Sequence, residues 1–224
     1  SFLNMEKLKT SCVAGEISMA YRTMDLMNQH GPPLSSRAFH EILHECTHTK
    51  NLKLGREIQT LIQRNSLESD TVLGSYLIRM FASCGSLSEA KSVFCKLKEP
   101  NVFTWSAIIL AHVKHGQSQQ ALELYTEMYR STTGVVPDEH VFVAAVKACN
   151  NLGFLREGKK IHCAIVETGL EQDEGVGSAL IDMYGKSGCL IEARVVFDKL
   201  HKSFLLPWNV MITGYIQQGE NQKA

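Results

Sequence analysis

The sequence predicts an all-α fold, a superhelical α-solenoid of antiparallel helix pairs, and three observations carry that expectation. Residues 36–101 and 139–204 repeat one pattern at an offset of 103 positions. Phe39/Phe142, Cys46/Cys149, Gly55/Gly158, Ile58/Ile161, Asp70/Asp173, Gly74-Ser75/Gly177-Ser178, Met80/Met183 and Phe94/Phe197 all coincide without a gap. Between the copies, 102–138 is a related unit whose start recurs at 205–224, with Trp105-Ser106 answering to Trp208-Asn209 and Gly116 to Gly219. The repeating unit is therefore about a third of the offset, near 35 residues, the period of helical-pair arrays in which one unit cannot bury its apolar face alone.

Taken in order, the units are 1–35, 36–70, 71–101, 102–138, 139–173, 174–204 and a partial unit 205–224, forming a single solenoid over 1–224. Position 15 of a unit is Gly15, Gly85, Gly116, Gly153, Gly188 and Gly219, between two apolar-periodic stretches, which reads as helix, short turn, helix. In 102–138 the first helix carries Trp105, Ile108, Ile109 and His112, and the second Ala121, Leu122, Leu124, Tyr125 and Met128. These are i, i+3, i+4 stripes with one face to bury. Position 20 is small throughout, as at Ala90, Ala121, Gly158 and Ala193, which lets paired helices approach. Pro137-Asp138 closes one unit and opens the next, because proline disfavours helical geometry in the residue before it. The turn at 132–134 is longer than its counterparts, a tolerable surface insertion. The partial unit ends where a second helix should begin, so the parent chain is expected to continue and Met211, Ile212 and Tyr215 to lie partly uncovered, which makes self-association through that end a further expectation.

Composition narrows the function. Lys plus Arg equals Asp plus Glu at 23 each, so there is no net pull on nucleic acid, anionic membrane or acidic substrate, and any binding rests on local charge. No apolar run of about 18 residues occurs, which predicts no membrane partner. Seven cysteines without a C-x-x-C argue for free thiols, and Cys46 and Cys149 share a repeat position suited to small buried residues.

The chain resembles the pentatricopeptide repeat family, and within it the plant subclass in which normal, long and short repeats alternate. The long type is similar to Phe142 through Asp173 with Gly158-Lys159-Lys160-Ile161-His162, and hence 36–70 and 139–173 read as long. The short type resembles Gly177-Ser178-Ala179-Leu180-Ile181-Asp182-Met183-Tyr184 followed by Gly188 and Glu192-Ala193, which covers 71–101 and 174–204. The normal type resembles Trp105-Ser106 and Trp208-Asn209, so 102–138 and the partial unit are normal. The resemblance implies a protein of a plant organelle, plastid before mitochondrion, that binds single-stranded RNA one base per repeat. It further implies a targeting role in C-to-U editing or other transcript processing.

In the family, position 5 and the last residue of a repeat read the base. Carried onto this sequence, Ser75 with Asn101 is expected to prefer adenine and Ser106 with Asp138 guanine, with Ser178 and Asn209 as further reading positions. A carboxylate accepts from the N–H groups of guanine, whereas an amide serves adenine. Ser178 is paired with Phe204, which makes no hydrogen bond, and Asn209 alone would favour a pyrimidine. The long repeats offer His40 with Asp70 and Val143 with Asp173, weaker readers because valine has no polar edge. Lys114 and Lys186 share position 13, where the family contacts phosphate.

One motif points elsewhere. His40-Glu41-Ile42-Leu43-His44 is H-E-x-x-H on a predicted helix, the spacing that turns two imidazoles to one side for zinc with glutamate as base. The extended form fails, since Thr47 and Lys50 occupy the places of its glycine and third histidine, and the sister stretch Val143 to Lys147 has no ligand. No phosphate loop, nucleophile elbow or zinc deaminase signature is present either. The expectation is no metal, no cofactor and no enzymatic activity in this segment, with Trp105 and Trp208 in the core. The competing expectation is a protein-interaction solenoid in which the long repeats dock an organellar editing factor.

Overall fold

A computed structural model of the chain describes residues 36–131, 134–200, 205–217 and 219. The unit expected at 1–35, positions 132–133 of the lengthened turn, Phe204 and the last residues, 220–224, lie outside them. The described helices are α1 (Ser36–Thr49), α2 (Leu52–Arg64), α3 (Thr71–Ser83), α4 (Leu87–Lys96), α5 (Val102–Lys114) and α6 (Ser118–Arg130). They continue as α7 (Glu139–Leu152), α8 (Leu155–Glu167), α9 (Glu174–Lys186), α10 (Leu190–Lys199) and α11 (Leu205–Gln217), with one 3-10 turn at Leu170–Gln172. No strand occurs among the described residues. No helix among them is long and apolar enough to cross a membrane.

The chain forms two compact units, Ser1–Ala111 and His112–Ala224, divided within α5. In the first, α1 packs on α2 and α3, α2 also packs on α3, and α3 packs on α4. In the second, α7 lies against α6, α8 and α9, and α9 lies against α8, α10 and α11. The first helix of a repeat thus meets its own second helix and the first helix of the next repeat. This is an α-solenoid of helix pairs.

The periodic stripes become that packing. On α2, Leu54, Gly55, Ile58, Leu61 and Ile62 are buried, and Ile161 and Ile165 hold matching places on α8. Each fully buried side chain of this size contributes roughly 1.5–3 kcal/mol. The position-15 turn needs a left-handed residue. Gly153 has φ 68°, and its N–H donates to the Asn150 carbonyl as α7 ends. At the equivalent place between α1 and α2 the chain carries Lys50, with φ 52°.

Four glycines receive a side chain from the following helix or from the residue that ends it. A Cβ on Gly55 would meet Met80, and one on Gly158 would meet Met183. Gly74 accepts Leu97 and Gly177 accepts Leu200 in the same manner. These notches explain why both the glycines and their filling partners recur at the same offset. Second helices are tied together across repeats by Arg56–Glu89 at 2.9 Å between α2 and α4, and Lys159–Glu192 at 3.0 Å between α8 and α10. At the same repeat positions α6 and α8 carry Leu122 and Glu157, and Glu157 turns to Lys160 on its own helix at 2.9 Å.

Candidate nucleic-acid interface

The residues expected at the end of each repeat serve first as helix N-caps. Asp70 Oδ1 accepts from the N–H groups of Val72 and Leu73 at 2.9 and 3.1 Å. Asn101 Oδ1 accepts from the Thr104 N–H at 3.0 Å, Asp138 Oδ1 from Val141 at 2.9 Å and Asp173 Oδ1 from Val176 at 2.9 Å. Asp and Asn are favoured there because a short side-chain oxygen satisfies an orphan backbone donor of the first turn. One terminal atom of each side chain is therefore committed, and Oδ2 or Nδ2 is what remains to face another group. All four residues are half-buried.

Two of those remaining atoms find a partner within their own repeat. The Ser36 hydroxyl donates to Asp70 Oδ2 at 2.6 Å, and Asn101 Nδ2 donates to the Thr71 hydroxyl at 3.1 Å. In the repeat frame expected from the sequence, Ser36 begins the unit that Asp70 ends, and Thr71 begins the unit that Asn101 ends.

Position 5 is less open than its expected role suggests. Ser75, Ser106 and Ser178 are 4%, 3% and 5% exposed. The Ser75 hydroxyl donates to the Val72 carbonyl at 2.7 Å, and that of Ser178 to the Glu174 carbonyl at 2.6 Å. His40 and Val143 are half-buried, and Asn209 is exposed. Lys114 and Lys186 are exposed at position 13, but Lys186 is held by Asp182 at 2.9 Å, and the same carboxylate accepts from Asn150 at 2.6 Å.

The H-E-x-x-H histidines form part of a ring ladder on α1. His40 and His44 have centroids 6.3 Å apart and His44 and His48 4.6 Å, while His40 lies 4.2 Å from the Tyr76 ring of α3. These are positions 5, 9 and 13 of one helix. Among the described residues no group of three or more His, Cys, Asp or Glu is disposed to hold a metal ion.

The two tryptophans part company. Trp105 is 3% exposed against Phe94, at 4.7 Å between ring centroids, whereas Trp208 stays 42% exposed although Phe197 holds it in the same edge-on arrangement at 4.7 Å. The expectation of a core Trp208 is thus corrected. On α11, Leu205, Ile212 and Ile216 are exposed with it. Met211, expected to be partly uncovered, is instead 4% exposed on a helix that packs on α9 and α10. Cys46 and Cys149 are fully buried, and burial pushes the Cys149 thiol up to about 11.

Between α6 and α8 lies a groove of about 670 Å³, lined by Leu122, Tyr129, Phe154 and Ile161, with Glu123 and Lys160 at its rim. It opens where the cross-repeat ion pair is missing.

Comparison with known proteins decides the class. A model of the PPR repeat matches residues 75–102, 178–203 and 207–224, and a PPR repeat family model matches 100–151. The chain belongs to the pentatricopeptide repeat family. It is 38% identical over 171 residues to pentatricopeptide repeat-containing protein At5g27110 of Arabidopsis thaliana, an alignment spanning 76% of the chain and 24% of that relative. It is 32% identical over 220 residues to the chloroplastic At5g55740 of the same plant, spanning 97% of the chain and 26% of the relative. The mitochondrial At3g09040 is 31% identical over 201 residues, spanning 88% and 19%. The chain thus spans about a quarter of such pentatricopeptide repeat proteins. In solved structures, the crystal structure of PPR10 in complex with an 18-nt psaJ RNA element matches with a TM-score of 0.76 at 16% identity, covering 98% of this chain and 34% of that one. That likeness establishes the pentatricopeptide fold.

Against this fold, two features escaped sequence reasoning. His48 and Tyr76 extend the histidine pair into a ladder, and only the adjacency of α1 and α3 brings Tyr76 in. The hydroxyls of Ser36 and Thr71 also went unnoticed, although a Ser or Thr just after a repeat boundary was visible as a signal.

Proposed function

We propose that this segment is a base-reading module for single-stranded RNA in a plant organelle, plastid or mitochondrion, supplying the address for C-to-U editing or another transcript-processing step. The observation that carries the reading is that Asp70, Asn101, Asp138 and Asp173 each cap a helix N-terminus through one side-chain oxygen, which leaves the second terminal atom of each side chain outside the cap bond. Unstacked bases offer Watson–Crick edges to side chains repeated along such an array. Family membership and the fold shared with an RNA-bound relative support the same reading. Ser75, Ser106 and Ser178 contribute small, buried neighbours beside the base, and the hydroxyls of Ser75 and Ser178 are able to rotate away from the helix carbonyls. The segment reads and does not catalyse.

Ser75 with Asn101 reads adenine and Ser106 with Asp138 reads guanine. Fluorescence anisotropy at one fixed low salt, comparing a short RNA containing A-G with the same RNA containing C-U, tests this. Tighter binding to A-G, with Asp138→Asn moving preference from guanine toward adenine, supports the reading. Equal or absent binding to both overturns it.

A second reading, docking of an organellar editing or processing protein on the 139–173 repeat, is supported by the groove between α6 and α8. Exposed Tyr129 and Phe154 line it, and Leu122 and Glu157 form no counterpart of the ion pairs seen between α2 and α4 and between α8 and α10. Capture of such a partner with RNA binding unchanged, lost on Tyr129→Glu, would favour it.

A further inference from the structure

The hydroxyl contacts Ser36–Asp70 and Thr71–Asn101 join the first and last residues of one repeat, in repeats of different length and type. The first of them lies where α1 packs on α3. A hydroxyl both donates and accepts, so it fits either partner. It donates to the carboxylate of Asp70 and accepts from the amide of Asn101.

The consequence lies in what each side chain has left. Asn101 Oδ1 is held by the Thr104 N–H, and one Nδ2 proton is held by Thr71. A flipped amide would set its NH₂ against the Thr104 N–H, donor against donor. The remaining Nδ2 proton is therefore the outward group, and it matches the N1 acceptor of adenine. Asp70 has both oxygens engaged and keeps only acceptor lone pairs, which match the N–H groups of guanine.

We infer that the first-position hydroxyl of a repeat is a positioning residue for base recognition, orienting the last-position side chain so that one defined donor or acceptor faces the base. This rests on the RNA-reading function proposed above. Repeats that begin without a hydroxyl, such as 139–173 with Glu139, hold their last residue by the cap alone and discriminate less sharply.

The test measures anisotropy binding of the whole chain to RNAs carrying A-G, G-G or C-G, for the unsubstituted protein, Thr71→Val, Thr71→Ser and Asn101→Asp. Losing one hydrogen bond of about 1 kcal/mol predicts that Thr71→Val lowers adenine-over-guanine discrimination about fivefold, with Thr71→Ser restoring it. A purely structural role would weaken all three RNAs alike and leave the ratio untouched, which overturns the inference. Asn101→Asp separates the two levels of failure. If it moves preference to guanine while Thr71→Val keeps full discrimination, the positioning role alone falls. If Asn101→Asp changes nothing, base reading at this repeat falls and the positioning role with it.

Discussion

His162 Nδ1 lies 2.9 Å from the Tyr184 hydroxyl, joining α8 to α9. Their rings stand edge to face at 5.7 Å. The same positions of the earlier copy are Gln59 and Phe81, so the polar pair is replaced as a pair. Burial is the main cause that holds the His162 pKa below the usual histidine value, with Lys199 adding to it and Glu171 opposing, and burial pushes Tyr184 up to about 12.

That shift sets a pH dependence. A depressed folded-state pKa means the unfolded chain binds the proton more readily, so the contribution of His162 is fully present above about 6.5 and is lost as pH falls toward the lowered folded value. Urea denaturation at pH 7.5 and 5.5 is expected to show a larger acid loss for the unsubstituted chain than for His162→Gln. An equal loss in both would assign the effect to other groups. His162→Gln and Tyr184→Phe singly should each cost on the order of 1 kcal/mol, and together less than their sum, because the double variant recreates the Gln59/Phe81 pair.

The glycine notches differ in what fills them. A Cβ on Gly177 would sit 2.6 and 2.7 Å from the two Leu200 methyl carbons, a branched end with little freedom to move. Gly177→Ala is expected to destabilise by about 1–3 kcal/mol. Gly158 meets the flexible Met183 thioether instead. There the helix propensity gained by alanine, about 1 kcal/mol, offsets the repacking, and Gly158→Ala should change stability little. Thermal unfolding of the two variants, ranked in the opposite order, would refute the distinction.

Lys50 holds a left-handed conformation that its counterpart Gly153 adopts without a side-chain penalty. That geometry costs an L-residue about 1–2 kcal/mol, against roughly 0.5–1 kcal/mol of extra chain entropy lost by glycine. Lys50→Gly should raise stability by up to about 1 kcal/mol. A fall in the urea midpoint would show that the lysine side chain makes a compensating contact.

The two position-13 lysines should contribute unequally to RNA binding. Lys186 is already neutralised by Asp182, whereas Lys114 is exposed and forms no ion pair among the described residues. Lys114→Ala is expected to reduce the slope of log K against log salt by about 0.7, the value for one single-strand phosphate, and Lys186→Ala by less. Equal slopes would place both or neither on the backbone.

The sequence by itself determined the helix pairs and the family, because these depend on local periodicity and on residues such as Gly153 and Asp138 whose backbone roles are set within one turn. The last-position residues Asp70, Asn101, Asp138 and Asp173 were named through the family resemblance, and their capping of helices was not foreseen, although Asp and Asn are residue types that cap. Only the tertiary structure decided what each side chain faces. Ser75 and Ser178 turn to their own carbonyls, Met211 is covered while Trp208 is not, and Thr71 meets Asn101 across 30 residues of chain. Such contacts depend on how neighbouring helices come together. A periodic pattern says which residues share a helix face, but not which atom of the next helix arrives against it.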